Sequence, residues 1–353
     1  MKNILTFWLL TAIHFSVLAQ DPEGAKNKIN EGIAAHDRGD FATAIKKYEV
    51  ALELDNNNME ALAEMALSLM SMGRYEESVE YCKRAISNHK GDPLLASVYS
   101  TYGSALDALK KNDEAIDIYN EAISQFPDDY LLHFNLGVSI SVNEDYDKAL
   151  LSFHKAAELN PMHAGTHRII GLIQAQKGNK IPAIMALSRF LVVEPEGPRA
   201  EYCLSVLRDL IAGSSQKTGK NSISITLNGD ILGDTTATGK PNPNNFGMVE
   251  MMLSLSGALD LTKANKKDSE AIKFKNRMQS VASALASGKN EGNGFYWEYY
   301  APYFIAMNDM GHLETFSNVA FASLKNSKIK KWIKKHPNEI AKFYKWSENY
   351  DWE

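Results

Sequence analysis

Small side chains return at a nearly constant interval through the first half of the chain, and this period constrains the fold more than any other feature. The first small residue of each copy is followed, twelve positions later, by a second one and, four positions after that, by a bulky apolar residue. The first positions are Gly32, Ala66, Gly103, Gly137 and Gly171, at intervals of 34, 37, 34 and 34 residues. The bulky positions are Tyr48, Cys82, Tyr119, Phe153 and Leu187. A period of this length predicts stacked supersecondary units, each contacting its neighbours.

The order of small and bulky residues is typical of two antiparallel helices. Helices approach closely only where small side chains occupy their crossing, and a bulky residue one turn further along the same face fills the remaining space. Glycines mark the turns between the helices of copies 1, 2 and 5, at Gly39, Gly73 and Gly178. The last three copies end with Pro127, Pro161 and Pro195. Because proline cannot continue a helix, these positions predict the end of the second helix in each copy.

These copies resemble tetratricopeptide repeats (TPRs). The resemblance is carried by runs such as Asp40 to Ile45, Ala51 to Asp55 and Tyr146 to Ala149. The matching segments are 25–58, 59–92, 96–129, 130–163 and 164–197. The resemblance implies a mainly α fold: a TPR superhelix of about five repeats over 25–212, with residues 198–212 as a capping helix.

The family's geometry implies a concave groove lined by the first helix of each repeat. The groove positions are Ile29, Ile33, Ala63, Leu67, Met70, Ser104, Phe134, Val138, Arg168 and Leu172. A largely apolar groove suits an amphipathic helix or an extended apolar peptide. The same side chains could instead pack against another part of this protein, including its own C-terminal half, because a large exposed apolar patch is a liability.

The groove does not resemble the carboxylate clamp of TPRs that bind chaperone tails. That clamp uses Lys, Asn and Arg over three repeats. Apolar residues such as Ile33 and Leu67 stand at its positions in the first two repeats, although Asn135 and Arg168 match it further on. Two matching side chains do not make a clamp, so we exclude this mode.

Residues 1–19 are predicted to be a secretory signal peptide. Lys2 supplies the positive start, Ile4 to Leu18 is predominantly apolar, and Val17-Leu18-Ala19 presents small residues at a cleavage site without a lipid-accepting cysteine. We therefore expect a periplasmic or secreted protein without an integral membrane segment. The formal net charge of −5 gives no basis for nucleic-acid binding.

The two cysteines, Cys82 and Cys203, are predicted to stay unpaired. Cys82 occupies the bulky core position of repeat 2, and the two residues lie several repeats apart. A solenoid repeat contacts its neighbours only, so a bridge between them is disfavoured.

The second half of the chain changes character after residue 212. Residues 213–245 read as a linker with a possible short β-hairpin, in which Ser222 to Leu227 is a strand and Asn228-Gly229-Asp230 turns toward Ile231-Leu232. Residues 246–353 read as a smaller helical module. Its helices are predicted at about 247–261, 268–286, 311–324, 327–335 and 337–347, and the aromatic run 295–304 has no predicted element.

Four tryptophans cluster in this module: Trp297, Trp332, Trp346 and Trp352. They predict an aromatic core or a wall packed on the repeats, with an aromatic platform for a glycan or peptide as the alternative. The whole chain also looks similar to exported TPR proteins of Bacteroidota with an aromatic C-terminal extension, a resemblance that implies no activity.

Few residues suggest chemistry. His163 and His167 stand four apart, which would let one helix face present both to a metal, but no third ligand lies nearby. The lysine run around Trp332 is typical of a solvated helix face. The alternative is that these lysines contact a polyanion or a membrane surface. The chain has no phosphate-binding loop, HExxH motif or nucleophile elbow, so we predict a non-enzyme without cofactor or metal.

The sequence thus favours an exported protein–protein interaction scaffold or assembly factor that binds a peptide or helix in the TPR groove. The alternative is a carbohydrate- or envelope-binding module that uses the aromatic C-terminal half.

Overall fold

The computed structural model describes residues 21–212, 215–219, 223–225, 245–262, 267–289, 292–324 and 326–352. The predicted signal peptide lies outside the described residues. The chain divides into two compact units at the Pro127–Asp128 junction. Repeats 4 and 5 therefore group with the C-terminal module, whereas the change in sequence character falls after the repeats.

The first unit consists of three antiparallel helix pairs. They are α1 (Pro22–Asp37) with α2 (Phe41–Leu54), α3 (Met59–Ser71) with α4 (Tyr75–Asn88), and α5 (Leu95–Ala108) with α6 (Asn112–Gln125). The first helices also pack in succession, α1 on α3 and α3 on α5, so they share one surface. Side chains cap several N-termini, as where Asp40 accepts a hydrogen bond from the Thr43 N–H at 3.1 Å.

The second unit begins with two more pairs and a further helix. These are α7 (Tyr130–Val142), α8 (Tyr146–Leu159), α9 (Ala164–Gln176), α10 (Lys180–Val193) and α11 (Pro198–Ala212). Helix α10 packs against α9 and α11, as a repeat helix should, and also against elements of the C-terminal module. Every residue from Ile181 to Val192 is consequently buried.

The C-terminal module of this unit is mostly helical. It contains the strands β1 (Ser215–Lys217) and β2 (Ile223–Ile225), and the helices α12 (Gly247–Leu259), α13 (Glu270–Gly288), α14 (Ala301–Asp309), α15 (Leu313–Ala320), α16 (Ser327–Lys335) and α17 (Pro337–Glu348). A single π-helical turn, Tyr296–Tyr300, leads directly into α14. The mainly α fold class with TPR-type helix pairs is confirmed.

The helix crossings follow the predicted size pattern. A Cβ atom built on Gly137 would lie 2.7 Å from the Phe153 ring, and one built on Gly171 would lie 2.6 Å from Leu187. Such distances are shorter than any real contact, so glycine is required at these crossings. In repeat 2 the two sizes are exchanged in part. Ala66 is larger than the glycine of the other repeats, Cys82 is smaller than their bulky residue, and both side chains are fully buried.

The inter-helix turns use one backbone conformation in all five repeats. Gly39, Gly73 and Gly178 have φ of 78°, 76° and 79°. Repeats 3 and 4 place Lys110 and Glu144 at the equivalent positions, with φ of 62° and 60°. These two side chains occupy the left-handed region that favours glycine, which the sequence pattern did not indicate.

The predicted β-hairpin falls only partly on described residues. Strand β2 lies within the predicted strand 222–227 and pairs with β1 before it, with Ser215 opposite Ile225 in antiparallel register. The sequence pattern indicates a linker at β1, so this pairing was not predicted, and the predicted partner Ile231-Leu232 lies outside the described residues. Alternation of Ser with Ile marks β2 as a strand, but it does not specify on which side the second strand lies.

The two cysteines are as predicted. Cys82 and Cys203 are both free and buried.

Candidate functional site

The first-helix positions of the first unit present a partly exposed apolar surface. Ile33 on α1 and Leu67 and Met70 on α3 are half-buried, so each keeps some accessible surface, and so does Ala63 beside them. Ile29 differs from them because it is only 1% exposed and belongs to the interior of its hairpin. We therefore remove Ile29 from the candidate surface.

Polar groups lie among these apolar side chains. On the α3 side, His36 Nδ1 is 2.7 Å from Ser68 Oγ, and the Tyr48 hydroxyl donates to Glu64 at 3.5 Å. Burial raises the pKa of Glu64. The first-helix surface of this unit is therefore apolar with a half-buried carboxyl group at α3.

The groove position of repeat 3 is polar. Ser104 Oγ lies 3.1 Å from the Tyr119 hydroxyl, and Ser104 is half-buried. Tyr119 is the buried bulky residue of its repeat, and burial raises its pKa. Ser104 thus lies at a surface position with its hydroxyl already engaged by the repeat's own core.

In the second unit, Phe134, Val138, Arg168 and Leu172 are also half-buried. The Phe134 ring packs edge-on against His163, with ring centroids 4.7 Å apart. The Arg168 Nε is buried and has no hydrogen-bond partner among the residues that the structure describes. These four positions therefore offer a mixed surface of apolar groups and one guanidinium.

The C-terminal module docks on repeats 4 and 5 through the aromatic π turn. The Tyr296 hydroxyl accepts a hydrogen bond from Gln174 Nε2 and lies 3.1 Å from His154 Nε2, to which it can donate. The Tyr299 hydroxyl donates to the Ala157 carbonyl at 2.7 Å. None of these repeat residues is a predicted groove position, so the module docks on other residues of α8 and α9.

His167 forms a fully buried link between α9 and the π turn. Its Nε2 lies 2.9 Å from the Pro161 carbonyl, which can only accept, so Nε2 carries the hydrogen. Burial, with a further contribution from Arg189, lowers the pKa of His167 to about 3, so the imidazole is neutral. Its Nδ1 then accepts from the Tyr300 hydroxyl at 2.7 Å.

Arg189 of α10 is a second buried anchor. Its guanidinium donates to Ser347 Oγ at 2.7 Å and to the Pro161 carbonyl at 3.0 Å. It also lies over the rings of Tyr303 and Trp352, 5.0 and 4.9 Å from their centroids. No carboxylate pairs with it among the described residues, so neutral acceptors and aromatic faces hold the charge.

The tryptophans divide into packing residues and one residue beside a cavity. Trp297 is 9% exposed and stacks on Phe246 at 4.5 Å, so it is a core residue and not part of a platform. Trp352 covers Tyr303 at 4.8 Å. Trp332 is half-buried and lines a cavity between α13, α15 and α16.

The histidine pair proposed from its spacing has a structural role. His163 Nδ1 lies 2.7 Å from Thr166 Oγ1, and both nitrogens of His167 are engaged as above. Over the part of the chain that is described, no cluster of three or more His, Cys, Asp or Glu is placed to hold a metal ion. Of the helices that the structure describes, none combines the length and apolar character that crossing a bilayer requires.

The fold and these surfaces define a helical-hairpin repeat protein with a docked C-terminal module. A family model of the tetratricopeptide repeat matches residues 58–128. The match spans repeats 2 and 3, so this part of the chain belongs to the tetratricopeptide repeat family, and the other helix pairs have the same fold.

Several known proteins are similar to part of the chain. The Hsp70-Hsp90 organizing protein of Triticum aestivum is 30% identical over 154 residues, which cover 42% of this chain and 25% of that protein. The Photosystem I assembly protein Ycf3 of Prochlorococcus marinus is 28% identical over 140 residues, covering 34% of this chain and 81% of that protein. The chain thus spans a quarter of the first relative's length.

Solved structures of repeat proteins are also similar. A thermophilic TPR protein of Thermus thermophilus is 19% identical, with a TM-score of 0.45 and coverage of 52% of this chain and 98% of that one. The pilF protein of Pseudomonas aeruginosa is 22% identical, with a TM-score of 0.47 and coverage of 53% and 83%.

Proposed function

We propose that this protein is an exported interaction scaffold or assembly factor whose first-helix surface binds an apolar helix or peptide of a protein partner, without catalysis. The observation that carries the proposal is the half-exposed apolar set Ile33, Leu67 and Met70 on α1 and α3. Fully burying an exposed side chain of this size contributes about 1.5–3 kcal/mol. Because these residues are already half-buried, each can add only a fraction of that, and binding draws on several of them together.

The docking of the C-terminal module supports the same role. Its hydrogen bonds use His154, Ala157, His167, Gln174 and Arg189. Phe134 and Val138 stay half-exposed although the module is docked. An intramolecular segment in the groove, the alternative left open by the sequence, is therefore less well supported than an external partner.

The similar proteins point the same way. Two of them are named for organizing Hsp70 and Hsp90 and for assembling a photosystem, and both are similar to part of this chain. We transfer only the general role, the bringing together of other proteins. The identity of the partner does not follow from the relatives, because apolar side chains replace the chaperone-tail clamp in repeats 1 and 2.

Site-specific crosslinking tests the proposal. A photo-crosslinking residue at Leu67 or Val138 should capture a partner from envelope fractions, whereas one at Leu151, which is 69% exposed on the second helix of repeat 4, should not. The substitution Leu67→Asp should weaken co-purification of the captured partner, and Leu151→Asp should not. Capture at Leu151 alone, or a complex indifferent to Leu67→Asp, would refute the assignment.

Export is tested separately. N-terminal sequencing of the protein from a Gram-negative host should find cleavage after Ala19, and recovery in the periplasm or medium. An intact Met1 on cytoplasmic protein contradicts this part of the proposal without affecting the binding surface.

A further inference from the structure

A cavity of about 390 Å³ lies between α13, α15 and α16 in the C-terminal module. It is remote in sequence from the repeat surface proposed above and is lined by residues that the proposed function does not use. Its volume falls within the range of about 300–1,000 Å³ that is typical of small-ligand sites. Its walls combine one indole ring with planar polar side chains and few fully exposed apolar groups.

The indole of Trp332 is held in place before any ligand binds. The His336 ring stacks on it with centroids 4.2 Å apart and planes 15° from parallel. His336 Nδ1 lies 2.8 Å from the Trp332 carbonyl, which can only accept, so the imidazole donates and is itself fixed. Ile329, one turn earlier, is 4% exposed and anchors the helix. Trp332 thus forms a rigid, half-buried wall of the cavity.

The polar lining can both donate and accept hydrogen bonds. Asn318 donates through Nδ2 to the Glu314 carbonyl at 2.9 Å, and Asn326 accepts through Oδ1 from the Lys328 N–H at 2.9 Å. Those contacts do not use the side-chain carbonyl of Asn318 or the NH₂ group of Asn326. An amide carbonyl and an amide NH₂ on one cavity match the hydroxyl groups of a ligand, each of which donates and accepts.

The charges of the lining nearly balance. Two carboxylates, Glu270 and Glu314, stand beside two ammonium groups, Lys275 and Lys328, and Arg208, which pairs with Glu270 at 2.8 Å, adds one further positive charge. With a surplus of one charge, the lining gives a multiply charged ligand of either sign little net attraction. The lining therefore favours a neutral ligand with many hydroxyl groups and at least one apolar face.

We propose that this cavity binds a neutral saccharide, with one pyranose ring stacked on Trp332 and its hydroxyl groups bonded to Asn318, Asn326 and Glu314. The C–H bonds on one face of a pyranose carry partial positive charge and complement the negative face of an indole. This activity is independent of partner binding by the repeats. Of the tryptophans considered for an aromatic platform, Trp297 lies in the core, and the proposal assigns the platform to Trp332.

Titration of the full-length mature protein with a panel of trisaccharides tests the proposal. The probes are neutral trisaccharides of glucose, mannose and N-acetylglucosamine, an anionic trisaccharide of galacturonic acid, and a neutral tripeptide. With 5-fluorotryptophan incorporated, the ¹⁹F resonance of Trp332 is identified by its loss in Trp332→Phe. At least one neutral trisaccharide should shift this resonance, and isothermal titration should give a saturable isotherm.

The variants separate stacking from structure. Trp332→Ala should weaken binding about tenfold or more, and Trp332→Phe less, because a phenyl ring still stacks. Glu314→Ala, an exposed position at the cavity, should weaken binding without affecting folding. The matched control is Tyr202→Ala, which removes an aromatic side chain that is 58% exposed on α11 and should leave affinity unchanged.

Three results would overturn the proposal. The first is that no neutral trisaccharide shifts the Trp332 resonance, and the second is that the protein binds the galacturonic acid trisaccharide or the tripeptide more tightly than any neutral trisaccharide. The third is that both Trp332→Ala and Glu314→Ala bind a neutral trisaccharide as tightly as the parent protein. None of them bears on crosslinking at Leu67, so the two proposals fail independently.

Discussion

Acid should loosen the second unit because two histidines that dock the C-terminal module are buried in their neutral form. His154 lies against Phe295 with centroids 3.7 Å apart and bonds Tyr296, and His167 bonds Tyr300 and Pro161. Burial lowers the pKa of each imidazole to about 3. Protonation would place a positive charge on each buried ring, and the tyrosine hydroxyl beside it would have to turn from donor to acceptor.

The magnitude follows from proton linkage. In the unfolded chain each histidine has a pKa of about 6.5. Below that pH the unfolded state therefore binds more protons than the folded state, in which the two imidazoles stay neutral. Stability is therefore complete above pH 7 and falls as the pH drops from about 6.5 toward 3. At about 1.4 kcal/mol per pH unit, each histidine removes about 2 kcal/mol between pH 7 and pH 5, and the pair about 4 kcal/mol. His163 and His312, whose pKa values burial also lowers, act in the same direction.

Urea unfolding followed by tryptophan fluorescence measures this loss. In protein produced without the predicted signal peptide, and so without Trp8, the four remaining tryptophans lie at Trp297 and beyond, and the signal reports the second unit. The free energy of unfolding should fall by about 4 kcal/mol from pH 7 to pH 5 in the native protein, and by much less when His154 and His167 are both replaced by Gln. Equal stability at the two pH values, or an NMR titration that places the His167 pKa above 6, would refute the reasoning.

Three substitutions test single contacts by chemical denaturation. Tyr300→Phe should cost about 1–3 kcal/mol, because it leaves the buried Nδ1 of His167 without a donor. Gly137→Ala should cost about 1–3 kcal/mol, because its Cβ would lie 2.7 Å from the Phe153 ring, and adding Phe153→Leu should recover part of the loss. Glu144→Gly should be neutral or stabilise by up to about 1 kcal/mol, because φ there is 60°.

Each of these predictions has a result that contradicts it. A Tyr300→Phe protein as stable as the parent would mean that another group, or water, supplies the donor. A Gly137→Ala protein that gains stability would show that the helices separate at no cost. Gly178→Ala is the matched control for Glu144→Gly, and it should be destabilising because φ is 79° at that turn.

Local patterns in the sequence determined the repeats. Each helix pair is specified by residues within one period: a small residue at the crossing and a bulky one opposite it. In repeats 1, 2 and 5 a glycine also marks the turn, whereas the left-handed turns at Lys110 and Glu144 were not indicated by the sequence. Gly137 and Phe153 lie 16 positions apart, so their fit can be recognised without the rest of the fold. Five of the six helices described in the C-terminal module were predicted within a few residues for the same reason, because amphipathic periodicity is local. Helix α14 and the π turn before it, in the aromatic run 295–304, were not predicted.

The docking of the module needed the tertiary structure. The Tyr296–His154 and Tyr300–His167 contacts join residues 142 and 133 positions apart, and no period relates them. A signal was nevertheless present in α10, which is apolar on all sides and therefore predicts burial on both faces. The exposed fraction of each first-helix residue was equally undetermined, as the buried Ile29 shows.

The same distinction explains the site beside Trp332. Its tryptophan was visible in the sequence as one of four, and nothing local distinguished it from Trp297. Only the packing of α13, α15 and α16 places Trp332 beside a cavity while Trp297 stacks on Phe246 in the core. The helices and the fit between the two helices of a repeat depend on residues close together in the sequence, so they can be predicted from the order of the residues alone. Burial depends on which distant surfaces meet, and the tertiary fold decides that.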